Sequence, residues 1–182
     1  MKGVYYQSEM PISWRLGTAP PPGILSEWMH TDAVVLRALA GMDTQAPTRE
    51  TEFGNEMEKK LDRVEAKLDL ALNLLSNLLA QHIPKSEICP VTLSASMIEW
   101  VSRAAAPAKG GIVISLFIDP RLPQPLLLPA NVRESEATTA GVRIAADFTH
   151  LSEEVEESLE RTVFRNHRRH IQAMHSGSGH QG

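Results

Sequence analysis

From Met57 to Leu78 the apolar residues Met57, Leu61, Val64, Leu68, Ala71, Leu75 and Leu78 are separated by 4, 3, 4, 3, 4 and 3 positions. That alternation keeps one seam on one side of an α-helix and turns it toward a partner helix. The pattern predicts a helix over 54–83 that joins copies of the chain in a parallel coiled coil. Leu61, Leu68 and Leu75 fall at a positions, and Val64, Ala71 and Leu78 at d. In a parallel pair Lys60 at g meets Glu65 at e of the neighbouring chain, with opposite charge. Leu72 and Leu79 at e, with Leu74 at g, broaden the stripe beyond a two-stranded seam, so a homotetramer is expected. The competing reading is a helix packed only within its own chain, and the heptad regularity and the charge pair argue against it.

At 182 residues the chain holds one core with extensions rather than two full domains. Residues 1–50 read as an N-terminal extension. Gly3, Pro11, Gly17 and the run Pro20, Pro21, Pro22, Gly23 suit an extended or poorly ordered lead-in over 1–23, with Tyr5, Tyr6 and Trp14 able to dock on a folded body. Leu25, Trp28, Met29, Val35, Leu36 and Leu39 then recur at helical spacing, which predicts a short helix over 24–40 that Gly41 ends. Pro47 marks a hinge into the long helix, assigned to 51–83.

After Pro84 the helical period gives way to short apolar or alternating runs. Strands are expected at Ile88–Ser94, Met97–Arg103, Ile112–Ile118, Leu126–Arg133 and Val142–Phe148, with Gly110-Gly111 as a turn. Pro129 inside the fourth run implies an edge or a bulge. Five such strands can curl into a small barrel with Ile112, Ile114, Leu116 and Ile118 on one side. A helix from about Ser152 to Met174 closes the unit: Ser152 caps it, Glu153, Glu154, Glu156 and Glu157 suit the positive end of its dipole, and Arg165, Arg168 and Arg169 suit the other. Val155, Leu159, Val163, Phe164, Ile171 and Met174 share one half of it and should seal the barrel or a partner surface. The fold class is therefore a mainly β small barrel with a C-terminal helix, assigned to 84–175, preceded by a short helix and a long coiled-coil helix. Residues 176–182 are small and polar and read as a disordered tail.

Composition excludes several classes of function. A net charge of −4 gives no bulk attraction to nucleic acid. The lone Cys89, between Ile88 and Pro90, cannot form an internal disulfide and reads as a small apolar filler. No apolar run approaches the roughly 20 residues that span a bilayer, and the N-terminus lacks a secretory apolar region, so a cytoplasmic setting without membrane insertion is expected. His167 and His170 lie three apart with no further ligand fixed nearby, so no metal site is assigned. The run Arg165-Asn-His-Arg-Arg-His170 could touch phosphates, but its place near a helix C-terminus already accounts for basic residues, and nucleic acid is a minor alternative. Lys109-Gly110-Gly111 is turn chemistry rather than a phosphate loop. No catalytic constellation is recognisable; neither enzyme activity nor a cofactor is expected.

The β runs ending in Gly141-Val-Arg-Ile-Ala-Ala-Asp-Phe, followed by Leu-Ser-x-x-Val-x-x-x-Leu-x-Arg-x-Val-Phe-x-x-x-Arg-Arg, resemble the PilZ domain family over about residues 85 to 172. Thr92-Leu-Ser-Ala-Ser-Met97 stands where that resemblance places an Asp/Asn-x-Ser-x-x-Gly motif that contacts cyclic di-GMP, and only Ser94 matches it. Ligand-competent members also carry a preceding Arg-x-x-x-Arg segment, whose planar bidentate donors suit phosphates and guanines. Residues 81–90 contain no arginine. Thr92 supplies neither carboxylate nor amide, and Met97 adds bulk where glycine permits close approach.

The resemblance thus implies a divergent PilZ member whose cyclic di-GMP binding is lost or very weak. Its expected role is that of a non-enzymatic oligomeric adaptor, working through protein contacts with an unidentified signalling or pilus-related protein in bacterial motility, pili, biofilm or virulence. The alternative is a cyclic di-GMP receptor with altered ligands, recruiting Arg103, Arg133 or Arg143 from the barrel strands.

Overall fold

The computed structural model describes residues 4–42, 86–103, 109–119, 122 and 124–177, together with Leu61, Val64, Lys67 and Leu68. Six strands form a closed antiparallel barrel: β1 (Tyr6–Leu16), β2 (Glu87–Leu93), β3 (Met97–Ser102), β4 (Gly110–Leu116), β5 (Leu126–Thr138) and β6 (Gly141–Phe148). Around the barrel their order is β1-β2-β3-β6-β5-β4. Two helices are described from end to end, α1 (Pro22–Met42) and α2 (Glu153–Gly177).

The strand that closes the barrel is β1. Its first half pairs with β2, from Tyr6 opposite Leu93 to Ile12 opposite Glu87, and its second half pairs with β4, from Ile12 opposite Leu116 to Leu16 opposite Ile112. A barrel of five strands, with residues 1–23 as a lead-in, is therefore corrected to six strands with 6–16 inside the sheet. Prolines and glycines around 3–23 obscure a period-2 pattern: Met10 and Ile12 are buried, and Tyr6 and Trp14 on the same face pack against the core.

The prolines are placed where no ladder donor is needed. The Pro11 carbonyl accepts the Phe117 N–H (3.0 Å) and the Pro129 carbonyl accepts the Thr149 N–H (2.9 Å), each from the residue just past the end of a neighbouring strand. A strand residue presents N and C=O to the same side, so each missing N–H also faces a strand end. Pro129 consequently needs neither an edge nor a bulge, contrary to expectation; the irregularity in β5 falls at Val132/Glu134.

Alternate residues fill the interior, among them Cys89, Val91 and Leu93 of β2, Ile98 and Trp100 of β3, and Ile112, Ile114 and Leu116 of β4. Ile118 lies just beyond β4 and packs against the core half-buried. Each fully buried aliphatic side chain contributes roughly 1.5–3 kcal/mol. Burial, and secondarily Glu87, pushes the Cys89 thiol up to about 11, which suits its reading as an apolar filler.

α1 lays Met29, Ala33, Val35, Leu36 and Leu39 into the same core, and α2 adds Val155, Leu159 and Val163. The Ser152 Oγ accepts the Val155 N–H (3.4 Å), so the expected cap is present. Phe164 and Ile171 do not join the sealed face; they are 50% and 37% exposed. Arg37 pairs with Glu154 (3.4 Å), and the Arg15 guanidinium stands 5.8 Å from the Trp28 ring centroid, tying β1 to α1. Among the described residues no helix is long and apolar enough to cross a membrane.

Candidate functional site

The three nucleotide-motif positions converge on the β2–β3 hairpin. Thr92 lies on the outer face of β2, between the inward-pointing Val91 and Leu93, and Ser94 follows the end of the strand as a buried residue. Thr92 is half-buried and its Oγ1 accepts the Gln7 Nε2 hydrogen bond at 3.1 Å, across the β1–β2 ladder.

Ser94 is committed to the turn itself. Its N–H donates to the Met97 carbonyl (2.9 Å), its Oγ donates to the same carbonyl (3.2 Å), and its Oγ accepts the Met97 N–H (3.1 Å). A serine here satisfies both groups of Met97 and closes the loop around Ala95 and Ser96, which is the local reason the sequence turns at this point. Met97 is buried, with Sδ 3.8 Å from the Arg133 Nη2. It occupies the space that a glycine would leave open.

The arginines that could replace missing ligands are held by carboxylates. Arg103 pairs with Glu87 (3.5 Å) and Arg133 with Asp147 (3.4 Å). Arg143 faces Glu136 (2.6 Å), Glu99 (3.9 Å) and Glu134 (3.9 Å). The Glu136 hydrogen bond, ahead of the nearby negative charges, raises the Arg143 guanidinium above its ordinary value. A phosphate would have to displace these carboxylates before it could use the same donors.

Beside the hairpin, a cleft of about 410 Å³ opens between Ser94–Ser96 and α2, with Val4, Arg161, Val163 and Phe164 on its walls. Its position on the helix, rather than among the strands, was not legible from the motif.

Of the residues assigned to self-assembly, Leu61, Val64 and Leu68 are described: all three are helical and exposed by 64%, 54% and 56%. They stand at the a, d and a positions of consecutive heptads. Met57, Ala71, Leu72, Leu75, Leu78 and Leu79 lie outside the described residues, as does the long helix as a continuous element.

His167 stands with Nδ1 2.8 Å from the Tyr5 carbonyl, which can only accept, so that nitrogen carries the proton. Its ring lies 6.2 Å from that of Tyr5. Among the described residues no group of three or more His, Cys, Asp or Glu could hold a metal ion.

A buried carboxylate escaped the sequence reading. Asp32 sits in the apolar stripe of α1, fully buried, and both of its oxygens accept the Leu127 N–H, at 3.0 and 3.2 Å. Leu127 lies near the start of β5, ahead of the first residue that pairs with β6, Ala130, so Asp32 supplies an acceptor where the ladder has none. Desolvation pushes its carboxyl up from 3.8 to about 7, with the Leu127 hydrogen bond opposing.

The family model described as an atypical PilZ domain, cyclic di-GMP receptor, matches residues 36–175. Among solved structures, the chain is similar to a pathogenic protein from Xanthomonas campestris, described as a tetrameric PilZ domain self-assembled via an unusual helical bundle. Identity is 26%, coverage is 94% of this chain and 92% of that one, and the TM-score is 0.74. A weaker likeness is to the Bacillus subtilis inhibitor of motility, at 10% identity over 48% of this chain and 44% of that chain, with a TM-score of 0.39. Comparison with curated proteins gives no match.

Proposed function

Because the chain belongs to the atypical PilZ domain family, we propose that it is a non-enzymatic, self-assembling adaptor whose nucleotide site has been given over to structural work. The observation that carries this reading is the fate of the motif. Ser94 spends its hydroxyl on Met97, while Arg103, Arg133 and Arg143 each face a carboxylate. The family is described as a cyclic di-GMP receptor, and binding by this chain would require breaking those contacts without help from an Arg-x-x-x-Arg segment. Exposed apolar residues at Leu61, Val64 and Leu68 support assembly through the helix assigned to 51–83, because their burial against other copies removes apolar area from water. The tetrameric relative from Xanthomonas campestris, self-assembled through a helical bundle, supports the same arrangement. In this division of labour, residues 84–175 with β1 form the PilZ unit, the helix multimerises it, and a further protein in bacterial signalling, for motility, pili, biofilm or virulence, is the target.

Isothermal titration of the full chain with cyclic di-GMP tests the reading. The expected result is no saturable heat up to roughly 0.1 mM nucleotide, which corresponds to binding weaker than about −5.5 kcal/mol. Micromolar binding would overturn it in favour of a receptor with altered ligands.

A further inference from the structure

Charge on α2 is divided sharply. Glu153, Glu154, Glu156, Glu157 and Glu160 occupy its first half, whereas from Arg161 onward the helix carries Arg161, Arg165, Arg168 and Arg169 and no acidic residue. Contrary to the expectation from the sequence, the helix dipole does not account for this, because its influence is confined to the last turn and the helix runs on to Gly177. Local pairing accounts for part of it: Arg161 meets Glu157 (2.8 Å) and Arg165 reaches the Ala40 carbonyl (3.4 Å). Arg168 is exposed.

Two openings follow the helix here. The cleft beside Ser94–Ser96 shares Arg161 and Phe164 with a second hollow of about 400 Å³ that continues past Arg168 to Gln172. Arg161, Phe164, Arg165, Arg168 and Gln172 recur at helical spacing along one face. The 12 residues from Arg161 to Gln172 span roughly 16 Å at a rise of about 1.5 Å from one residue to the next. A trough of that length takes a segment of polymer rather than a compact ligand. At one end it carries the apolar side chains of Val4 and Phe164, 44% and 50% exposed, beside Ser96 and Glu160; at the other its walls are cationic.

We propose that this trough docks an acidic peptide segment of a partner protein, with an apolar side chain seated between Val4 and Phe164 and carboxylates lying along Arg168. Charge complementarity favours a peptide over nucleic acid. Glu160 lines the apolar end, where a continuous phosphate backbone would meet it, while a peptide presents an uncharged anchor there. The proposal gives the adaptor reading a binding face and rests on it for the existence of a partner.

The test is fluorescence polarisation with the full chain and a labelled model peptide of roughly 14 residues, about four helical turns, with Leu and Phe on one face and Glu on the other. The expected result is saturable binding that weakens as salt rises. Phe164→Ala, and separately Arg168→Gln, should each reduce affinity several-fold or more. Absence of binding at millimolar protein, equal binding of a Lys-for-Glu peptide, or tighter binding of a single-stranded oligonucleotide would each overturn the proposal. Light scattering on the same variants keeps it separate from assembly. The trough variants should retain the oligomer, and a Leu61→Glu, Leu68→Glu chain should lose the oligomer while still binding the peptide with the same intrinsic affinity.

Discussion

Replacing Asp32 by Asn should flatten the pH dependence of stability between about pH 4 and 7. The carboxyl is fully buried, accepts only the Leu127 N–H among its described partners, and is pushed from 3.8 to about 7 chiefly by desolvation. In the unfolded chain the group ionises near its ordinary value, so between the two values the folded protein holds a proton that the unfolded one has released. Asp32 therefore favours the fold fully below pH 3.8, loses that contribution as pH rises, and gives its full penalty above 7. Each pH unit in the window is worth about 1.4 kcal/mol, so the cumulative change approaches roughly 4 kcal/mol. Asn keeps an oxygen for Leu127 and cannot ionise, although its amide donors bring a pH-independent cost of about 1–3 kcal/mol if unpaired. Urea denaturation of both proteins at pH 5 and pH 8, at one protomer concentration because assembly shifts apparent stability, isolates the effect in a difference of differences. The wild type should lose substantially more stability than Asp32→Asn between those pH values. Parallel pH profiles for the two proteins would refute the assignment of the titrating group.

Gly141→Ala should cost about 2 kcal/mol or more in the same assay, because φ is 143° and an added Cβ would sit 2.6 Å from the Ser102 carbonyl. Ser152→Ala should cost about 1 kcal/mol through loss of the bond from Val155 N–H, and Ser152→Asp should restore most of it. Leu61→Glu combined with Leu68→Glu should reduce the particle to a monomer by light scattering, with the circular dichroism of the barrel retained; persistence of the oligomer would remove the coiled coil from the account. Thr92→Asp with Met97→Gly should not create cyclic di-GMP binding by titration, since Ser94 and the barrel arginines remain engaged and residues 81–90 still lack arginine.

The sequence by itself determined the strand runs after residue 84, except that Gly110-Gly111, read as a turn, is paired with Val132 and Asn131 at the start of β4; it also determined the capped helix opening at Ser152, the family and the erosion of its motif at Thr92 and Met97. These are local or periodic signals: apolar residues alternate because a barrel wall has two faces, and a cap acts on a backbone donor three residues away. It also established the 4-3 spacing of Met57 to Leu78, a pattern that specifies a seam without specifying what covers it. Tertiary structure alone decided the role of β1, since Pro11 forbids a ladder donor in isolation but is harmless opposite the end of β4. It likewise decided that Pro129 needs no edge, because its missing donor faces the end of β6. Asp32 went unread within its apolar stripe, and only the start of β5 supplies the N–H that it accepts. Ser94, the one residue that matched the nucleotide motif, proved to be bonded to Met97 within its own hairpin. Each of these outcomes turns on which donor meets which acceptor across distant stretches of chain, and that pairing exists only once the barrel has closed.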